Sequence, residues 1–340
     1  MTRGRAIGAA FTYAAFFGLL SGVLEWAVRS LLPWAPPWRI RLGAYLLWMP
    51  AVANLILFSA VALVLAAVLW WKPRLATPRS LTFVFVGLAT INVLALVTPP
   101  LHMVAALLLA AGVAVGAARL AGRYSDRVDR LAGFGAVSLA TAVGAVAISV
   151  EVNRALAARP DTDRPAVSQQ TPNILLLVLD NVRSLNLTPY GYFRDTSPTL
   201  QRLAERGVLF ERAYSTSSWS LPSHASLMTG RWVHELDADW VVPLDDRYPT
   251  LAEALSQHGY RTGGFVSNGA YTQRESGLSR GFTYYEDYPL SIRQVLLSSK
   301  LGARATSFWQ NHIGPLQGPF SNIYHRRSAA GLHDRLLRWL

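Results

Sequence analysis

The sequence contains no cysteine. That excludes disulfides, thiolate metal sites and a cysteine nucleophile, and it leaves the redox compartment open. Carboxylates are scarce in the first 150 positions, which hold 3 Asp/Glu against 12 Lys/Arg, whereas residues 151–340 hold 17 against 20. Of the net charge of +12, the first part therefore carries +9. The second half lacks a basic stripe with interleaved aromatics, so nucleic acid is excluded as a partner. Basic residues set between apolar spans read instead as orientation signals.

Long hydrophobic runs are present, and all of them fall before residue 151. Five stretches approach or exceed the roughly 20 apolar residues that a bilayer-spanning helix needs: Ala6–Leu24, Leu42–Trp71, Leu81–Val97, Leu101–Leu120 and Leu131–Val150. The second is long enough to tilt or to kink at Pro50, and Thr98, Pro99 and Pro100 predict a tight hairpin between the third and fourth. A signal peptide fits the first run poorly, because further spans follow and no small-residue cleavage pattern stands out. The N-terminus, the 72–79 loop and the 119–130 loop carry 2, 3 and 4 basic residues, against 3, 0 and 3 on the alternate side. This bias predicts a cytoplasmic N-terminus and, with five spans, a region after Val150 on the external or periplasmic face. Glu25, Asn54 and Asn92 are polar residues in or beside the spans. Glu25 reads as lying at a helix end, and the two asparagines as hydrogen-bonding neighbouring helices rather than lining a transport pathway.

After Val150 the character changes. Residues 151–171 are polar and contain Pro160 and Pro165, which reads as a linker. "NILLLVLD" (Asn173–Asp180) then reads as a strand buried on both faces of a parallel sheet. "SPTLQRLAER" has a capping Ser197, Pro198 at the first helical position and Gly207 after its end. Further segments alternate: "VLFERAY" and "RTGGFVS" as strands, Pro222 onward and "TLAEALSQH" as helices. This alternation predicts a mainly parallel sheet covered by helices, with ligands at the carboxyl ends of its strands.

Two candidate sites fall there. Asp180 and Asn181 end the first predicted strand, and their oxygens suit a hard divalent cation; an Asp capping a turn is the plain alternative. Ser220 lies at the start of a predicted helix, where free amides and the helix dipole favour an anion; an ordinary N-cap serine is the alternative there. His224, one turn later, falls on the same face. Spacing leaves open which of Ser217, Ser218, Ser220, Ser223 and Ser226 reacts.

Together these segments resemble the sulfatase branch of the alkaline phosphatase superfamily. "PNILLLVLDNVR", "YGYFRDTSPTLQRLAERGVLFERAYS", "SLPSHASLMTGR", "HGYRTGGFVSN" and "GFTYYEDY" follow one another in the family's order across 172–287. With the α-helical membrane region of about five transmembrane helices (1–150) and the linker (151–171) read above, the resemblance implies an incomplete α/β alkaline-phosphatase-like domain (172–340). It implies a divalent cation at Asp180 and Asn181, calcium or magnesium rather than zinc, and a nucleophile at Ser220 with His224 beside it. In sulfatases that residue is a Cys or Ser oxidised to formylglycine; in related phosphotransferases an unmodified Ser or Thr attacks phosphorus. Here His224 stands where the oxidation signature has Arg, and "FVSN" stands where many sulfatases have a Lys–His block. The later segment that completes the family's metal site has no counterpart, and His312, His325 and His333 lie outside any matching motif.

The expected protein is a multi-pass cell-membrane hydrolase of sulfuric esters, its partners the bilayer and a sulfated or phosphorylated envelope or glycan substrate. The alternatives are a phosphoryl or phosphoethanolamine-type transferase acting on envelope lipid or glycan, with Ser220 as direct nucleophile, and an inactive partial family member. Spans followed by such a domain also resemble lipoteichoic-acid synthases and phosphoethanolamine transferases.

Overall fold

A computed structural model describes residues 2–31, 43–96, 101–157, 171–240, 242–268, 271–287, 292–312 and 329–340. The chain divides into two units, one comprising Met1–Pro160, Gly264–Glu275 and Tyr284–Leu340, the other Asp161–Gly263 and Ser276–Thr283.

The first unit is a helical bundle: α1 (Arg3–Leu31), α2 (Met49–Trp71), α3 (Pro78–Leu94), α4 (Met103–Arg123) and α5 (Ser125–Ala157). Four of these, α1, α2, α4 and α5, are long and apolar enough to cross a membrane. The predicted third span is the shorter α3, whose 17 residues reach about 25 Å at 1.5 Å per residue. Pro50 does not kink a long second span. The helix starts at Met49, so Pro50 occupies its first turn, where its missing N–H costs nothing. The 119–130 loop reduces to a break at Tyr124 between α4 and α5, and α5 continues to Ala157, so the first residues of the expected linker are helical. The Thr98–Pro100 hairpin and residues 158–170 lie outside the described residues.

Small residues hold α1 against α2. Ala6, Ala10, Ala14, Gly18 and Gly22 recur every fourth position of α1, and all are buried. A Cβ on Gly18 would come 3.0 Å from the Asn54 carbonyl oxygen, and one on Gly22 would overlap the Ala51 backbone. In lipid, where burial of apolar surface gives no drive between helices, such close backbone approach is what packs them.

Glu25 is not at a helix end, since α1 continues to Leu31. Its carboxylate is fully buried. Oε2 accepts from the side-chain amides of Asn54 (3.2 Å) and Asn92 (3.0 Å), so both asparagines do bond a neighbouring helix. Oε1 pairs with Arg29 and accepts the Lys300 backbone N–H at 2.7 Å. Lys300 opens α10 (Lys300–His312), which follows α9 (Ile292–Ser298). Glu25 thus places a negative charge at the N-terminus of α10, where the dipole favours it. Asn92 caps the next amide, Leu301 N, and Arg29 donates to the Ser298 carbonyl at the end of α9. The α9–α10 elbow is thereby seated in the bundle. Burial, with Arg29 and Arg304 nearby, holds the Lys300 ammonium below the usual lysine range although Glu25 opposes the shift.

The expected parallel sheet does not form among the described residues. Its only sheet has two strands, β1 (Gly263–Phe265) and β2 (Tyr284–Glu286), each of three residues. β1 falls within the predicted "RTGGFVS" strand. Residues 173–179 and 208–210 have no assigned secondary structure, and Ile174–Leu179 are 42–74% exposed rather than buried. A strand is defined by its ladder partners, and among the described residues neither segment has one.

In the second unit the locally specified helices do form: α6 (Pro198–Ala204), α7 (Ser220–Thr229) and α8 (Leu251–Gln257). Thr250 and Glu253 close a capping box at α8, and the Thr250 hydroxyl also donates to the Arg280 carbonyl. Ser197 precedes α6 without capping it, because its hydroxyl accepts the Thr188 N–H and donates to the Thr188 hydroxyl.

Candidate active site

α7 positions the site. Leu221, Pro222, Ala225 and Ser226 bury one face, and Gly230, left-handed at φ 68°, ends the helix by donating its N–H to the Ser226 carbonyl. The Ser226 hydroxyl is bonded to the Arg231 carbonyl at 2.5 Å. Burial on one side and a closed C-terminus fix the N-terminal turn. Trp219 precedes it in extended conformation, so Ser220 is the first helical residue, two positions earlier than the proline start.

That turn separates the serines. Ser223 shares a 2.7 Å hydrogen bond with Ser215, and Ser217 accepts the Trp219 N–H. Ser220 Oγ, by contrast, reaches both carboxylate oxygens of Asp180, at 3.1 and 3.0 Å. The two residues lie 40 positions apart, and their pairing selects Ser220 from the serine-rich stretch. Ser220 is half-buried and Asp180 exposed. The Ser220 and Leu221 amides have no acceptor within the helix by position, Pro222 has none to offer, and the Ser223 amide already bonds the Trp219 carbonyl. Two backbone donors at the first turn are therefore left without an intrahelical acceptor.

Asn181 follows Asp180 with φ 61°, the one non-glycine residue at positive φ among the described residues. Asparagine tolerates this left-handed conformation better than most residues. His224 is on the predicted face, but it meets the Ser220 backbone rather than the hydroxyl. Its Nδ1 lies 2.6 Å from the Ser220 carbonyl oxygen; a carbonyl only accepts, so Nδ1 is the donor in this contact. The geometry is that of a positioned ring, not of a base on Ser220.

The donor set of Asp180, Asn181 and Ser220 is all oxygen, the kind a hard divalent cation takes. It supplies one carboxylate, fewer oxygens than six-fold coordination needs, and no group of three His, Cys, Asp or Glu side chains gathers among the described residues. His333 is an exposed residue of α11 (Ala329–Trp339), whereas the His312 side chain and His325 lie outside the described parts.

A feature the sequence reading missed is an aromatic pair. Trp219, directly before Ser220, contacts Trp240 with ring centroids 5.5 Å apart at 32°, and both are about half exposed. No periodic pattern links positions 21 apart, so nothing local signalled it.

Comparison with known proteins agrees with the motif order. Residues 172–305 match the family model described as Sulfatase. An N-acetylgalactosamine-6-O-sulfatase of Bacteroides thetaiotaomicron is 33% identical over 102 residues, covering 28% of this chain and 20% of that protein. Arylsulfatase A of Bos taurus is 35% identical over 134 residues, 34% of this chain and 26% of that protein. An N-acetylgalactosamine-6-sulfatase of Homo sapiens is 44% identical over 62 residues, 18% and 12% of the two chains. The matched regions thus span less than a third of these relatives' lengths. No solved structure matches significantly.

Proposed function

We propose, starting from a chain whose residues 172–305 are a sulfatase-family segment, that the protein is a membrane-anchored hydrolase of sulfuric esters with Ser220 at the nucleophile position. The observation that carries this is the contact between Ser220 Oγ and the Asp180 carboxylate at the amide-lined start of α7. A nucleophile oxygen beside a carboxylate, with backbone donors facing the incoming anion, is the arrangement that ester chemistry at a tetrahedral centre requires. In the hydrated aldehyde at position 220 one hydroxyl attacks sulfur and loses its proton, the bond from sulfur to the ester oxygen breaks, and that oxygen leaves protonated as the alcohol. The second hydroxyl then gives up its proton as sulfate is expelled and the aldehyde reforms, to be rehydrated by water. The amides of residues 220 and 221 would take up charge on the peripheral oxygens. Asp180 and Asn181 are the residues that would hold a divalent cation, and such an ion would supply charge neutralisation there. His224 orients the first turn through the Ser220 carbonyl.

The anchor is the bundle, with α3 as a fifth span. Its 17 residues start at a capped, proline-led turn and pack against both α1 and α4. Five spans and the bias of basic residues toward the ends that would lie inside support an external face for the sulfatase-like segment.

Phosphoryl transfer, with an unmodified Ser220 as the direct nucleophile, is the second reading, favoured by His224 standing where the oxidation signature has Arg. Two measurements separate them. Mass spectrometry of the tryptic peptide 213–231 from the native host should show formylglycine at position 220, and the membrane fraction should hydrolyse an aryl sulfate in preference to an aryl phosphate. An unmodified serine in a chain that turns over only the phosphate would overturn the sulfatase reading.

A further inference from the structure

The bundle carries a charged surface that ester hydrolysis does not use. Contacts within the first unit gather five helix ends. The Arg3 guanidinium lies over the Trp70 ring at 5.3 Å, joining the start of α1 to the end of α2. The Arg79 side chain packs against Gly122, joining the start of α3 to the end of α4. The Tyr13 hydroxyl donates to Asp129 at 2.6 Å, tying α1 to the first turns of α5. Nine basic residues stand on these ends, namely Arg3 and Arg5, Lys72, Arg74 and Arg79, and Arg119, Arg123, Arg127 and Arg130, and all nine are exposed. The carboxylates in these segments are Asp126 and Asp129, and no ion pair to any of the nine forms among the described residues. Glu25 lies about 33 Å along α1 from Arg3, so this surface and the α9–α10 elbow occupy opposite ends of the bundle.

The sharpest part is the α4–α5 break. Arg123 and Arg127 flank one half-exposed tyrosine, each guanidinium 5.7 Å from the Tyr124 ring centroid. Stacking on an aromatic orients the planar group and leaves its N–H fork to solvent. Two such forks at one helix break match the oxygens of a phosphodiester, and an arginine is suited to holding them in pairs.

We infer that this end of the bundle binds the headgroups of anionic phospholipids in the leaflet it faces, with Arg123, Tyr124 and Arg127 as a phosphodiester clamp. The inference rests on the reading of the bundle as membrane-spanning, and carbonate extraction of membranes tests that reading separately: a chain released by carbonate fails it before lipid preference is measured. Basic residues near an anionic surface each add about a fivefold gain in association, and the effect is screened by salt.

The test uses the full chain reconstituted in phosphatidylcholine nanodiscs doped with spin-labelled phosphatidylglycerol or spin-labelled phosphatidylcholine. The expected result is a preference for the anionic label of roughly tenfold or more at low salt, shrinking in 0.5 M salt as an approximately screened interaction should. The R123Q/R127Q chain should lose most of it, and R202Q, in the second unit, none. A second pair, R3Q/R5Q, covers the case in which the first variant does not fold by circular dichroism, and should give a partial loss. Equal association of both labels with the wild-type chain, or a preference that either folded pair leaves unchanged, would overturn the inference.

Discussion

Replacing Glu25 with alanine should destabilise the bundle more than any other single truncation in α1. The carboxylate serves Arg29, the Lys300 amide and the side-chain amides of Asn54 and Asn92. Removing one partner of a buried ion pair costs about 3–5 kcal/mol, because the remaining charge has neither water nor a counter-ion. Arg29 keeps the Ser298 carbonyl at 2.7 Å and loses the Glu25 carboxylate. Arg29→Met removes the other partner, but Glu25 then still accepts from three donors, and a hydrogen-bonded carboxylate tolerates burial better. Its cost should be smaller by about 1–2 kcal/mol. The double variant Glu25→Met/Arg29→Met should cost less than Glu25→Ala alone, since no unpaired charge remains, yet stay above zero because the two asparagines and the Lys300 amide lose an acceptor. The assay is equilibrium unfolding in mixed micelles with rising SDS, followed by tryptophan fluorescence. A loss below about 1 kcal/mol for Glu25→Ala, or strictly additive single costs, would refute the argument that one carboxylate seats the α9–α10 elbow.

Two further outcomes use the same titration. Gly22→Leu should cost about 1–3 kcal/mol by overpacking against the Ala51 backbone, while Gly8→Leu, whose position faces open space, should stay within about 0.5 kcal/mol; equal effects would remove the small-residue stripe as the α1–α2 contact. Lys300→Met should stabilise the fold at neutral pH. The folded state disfavours the charged ammonium, so the cost is full below the depressed folded pKa and fades as pH rises toward the unfolded value of about 10.4. A benefit that grows with pH would contradict the assigned direction.

What was legible in the sequence was local. Pro198 at a first helical position and the short patterns from Pro222 and over "TLAEALSQH" are signals spanning a few residues, and α6, α7 and α8 form there, although Ser197 does not cap α6 and α7 starts two residues earlier than its proline. The sheet was not legible in the same sense. An apolar run such as Asn173–Asp180 states that a strand would be content if paired on both sides; it does not contain its partners, and among the described residues they are absent. The Glu25 socket is further from reach, because its members come from positions 25, 54, 92 and 300 and only packing makes them one group. The stripe from Ala6 to Gly22 is a different case. Its four-residue period stands in the sequence, but hydropathy scores an apolar helix alike whether its small residues align or not. At the candidate site, composition offered five serines; the motif resemblance pointed to Ser220, and among them the structure gives Ser220 the 40-residue contact with Asp180.

Asn181 allows the last distinction, between a turn residue and a ligand. Its φ of 61° is reason enough for an asparagine there, since a left-handed residue with a branched side chain costs about 1–2 kcal/mol. Its amide oxygen, a candidate ligand next to Asp180 in sequence, is a separate reason, and the two roles separate by substitution. Asn181→Gly keeps the backbone and deletes the oxygen; Asn181→Asp keeps an oxygen and a tolerable backbone; Asn181→Val keeps neither. As a turn residue only, glycine should match wild type in stability and in calcium or magnesium affinity by titration calorimetry, aspartate should be nearly neutral, and valine should lose stability alone. As a ligand, glycine should retain the unfolding midpoint while losing cation affinity, and aspartate should restore it. The second pattern is the one expected on the reading of Asp180 and Asn181 as the residues that would hold a divalent cation. A glycine variant with undiminished cation affinity would remove Asn181 from the site and leave Asp180 as the ligand of that segment.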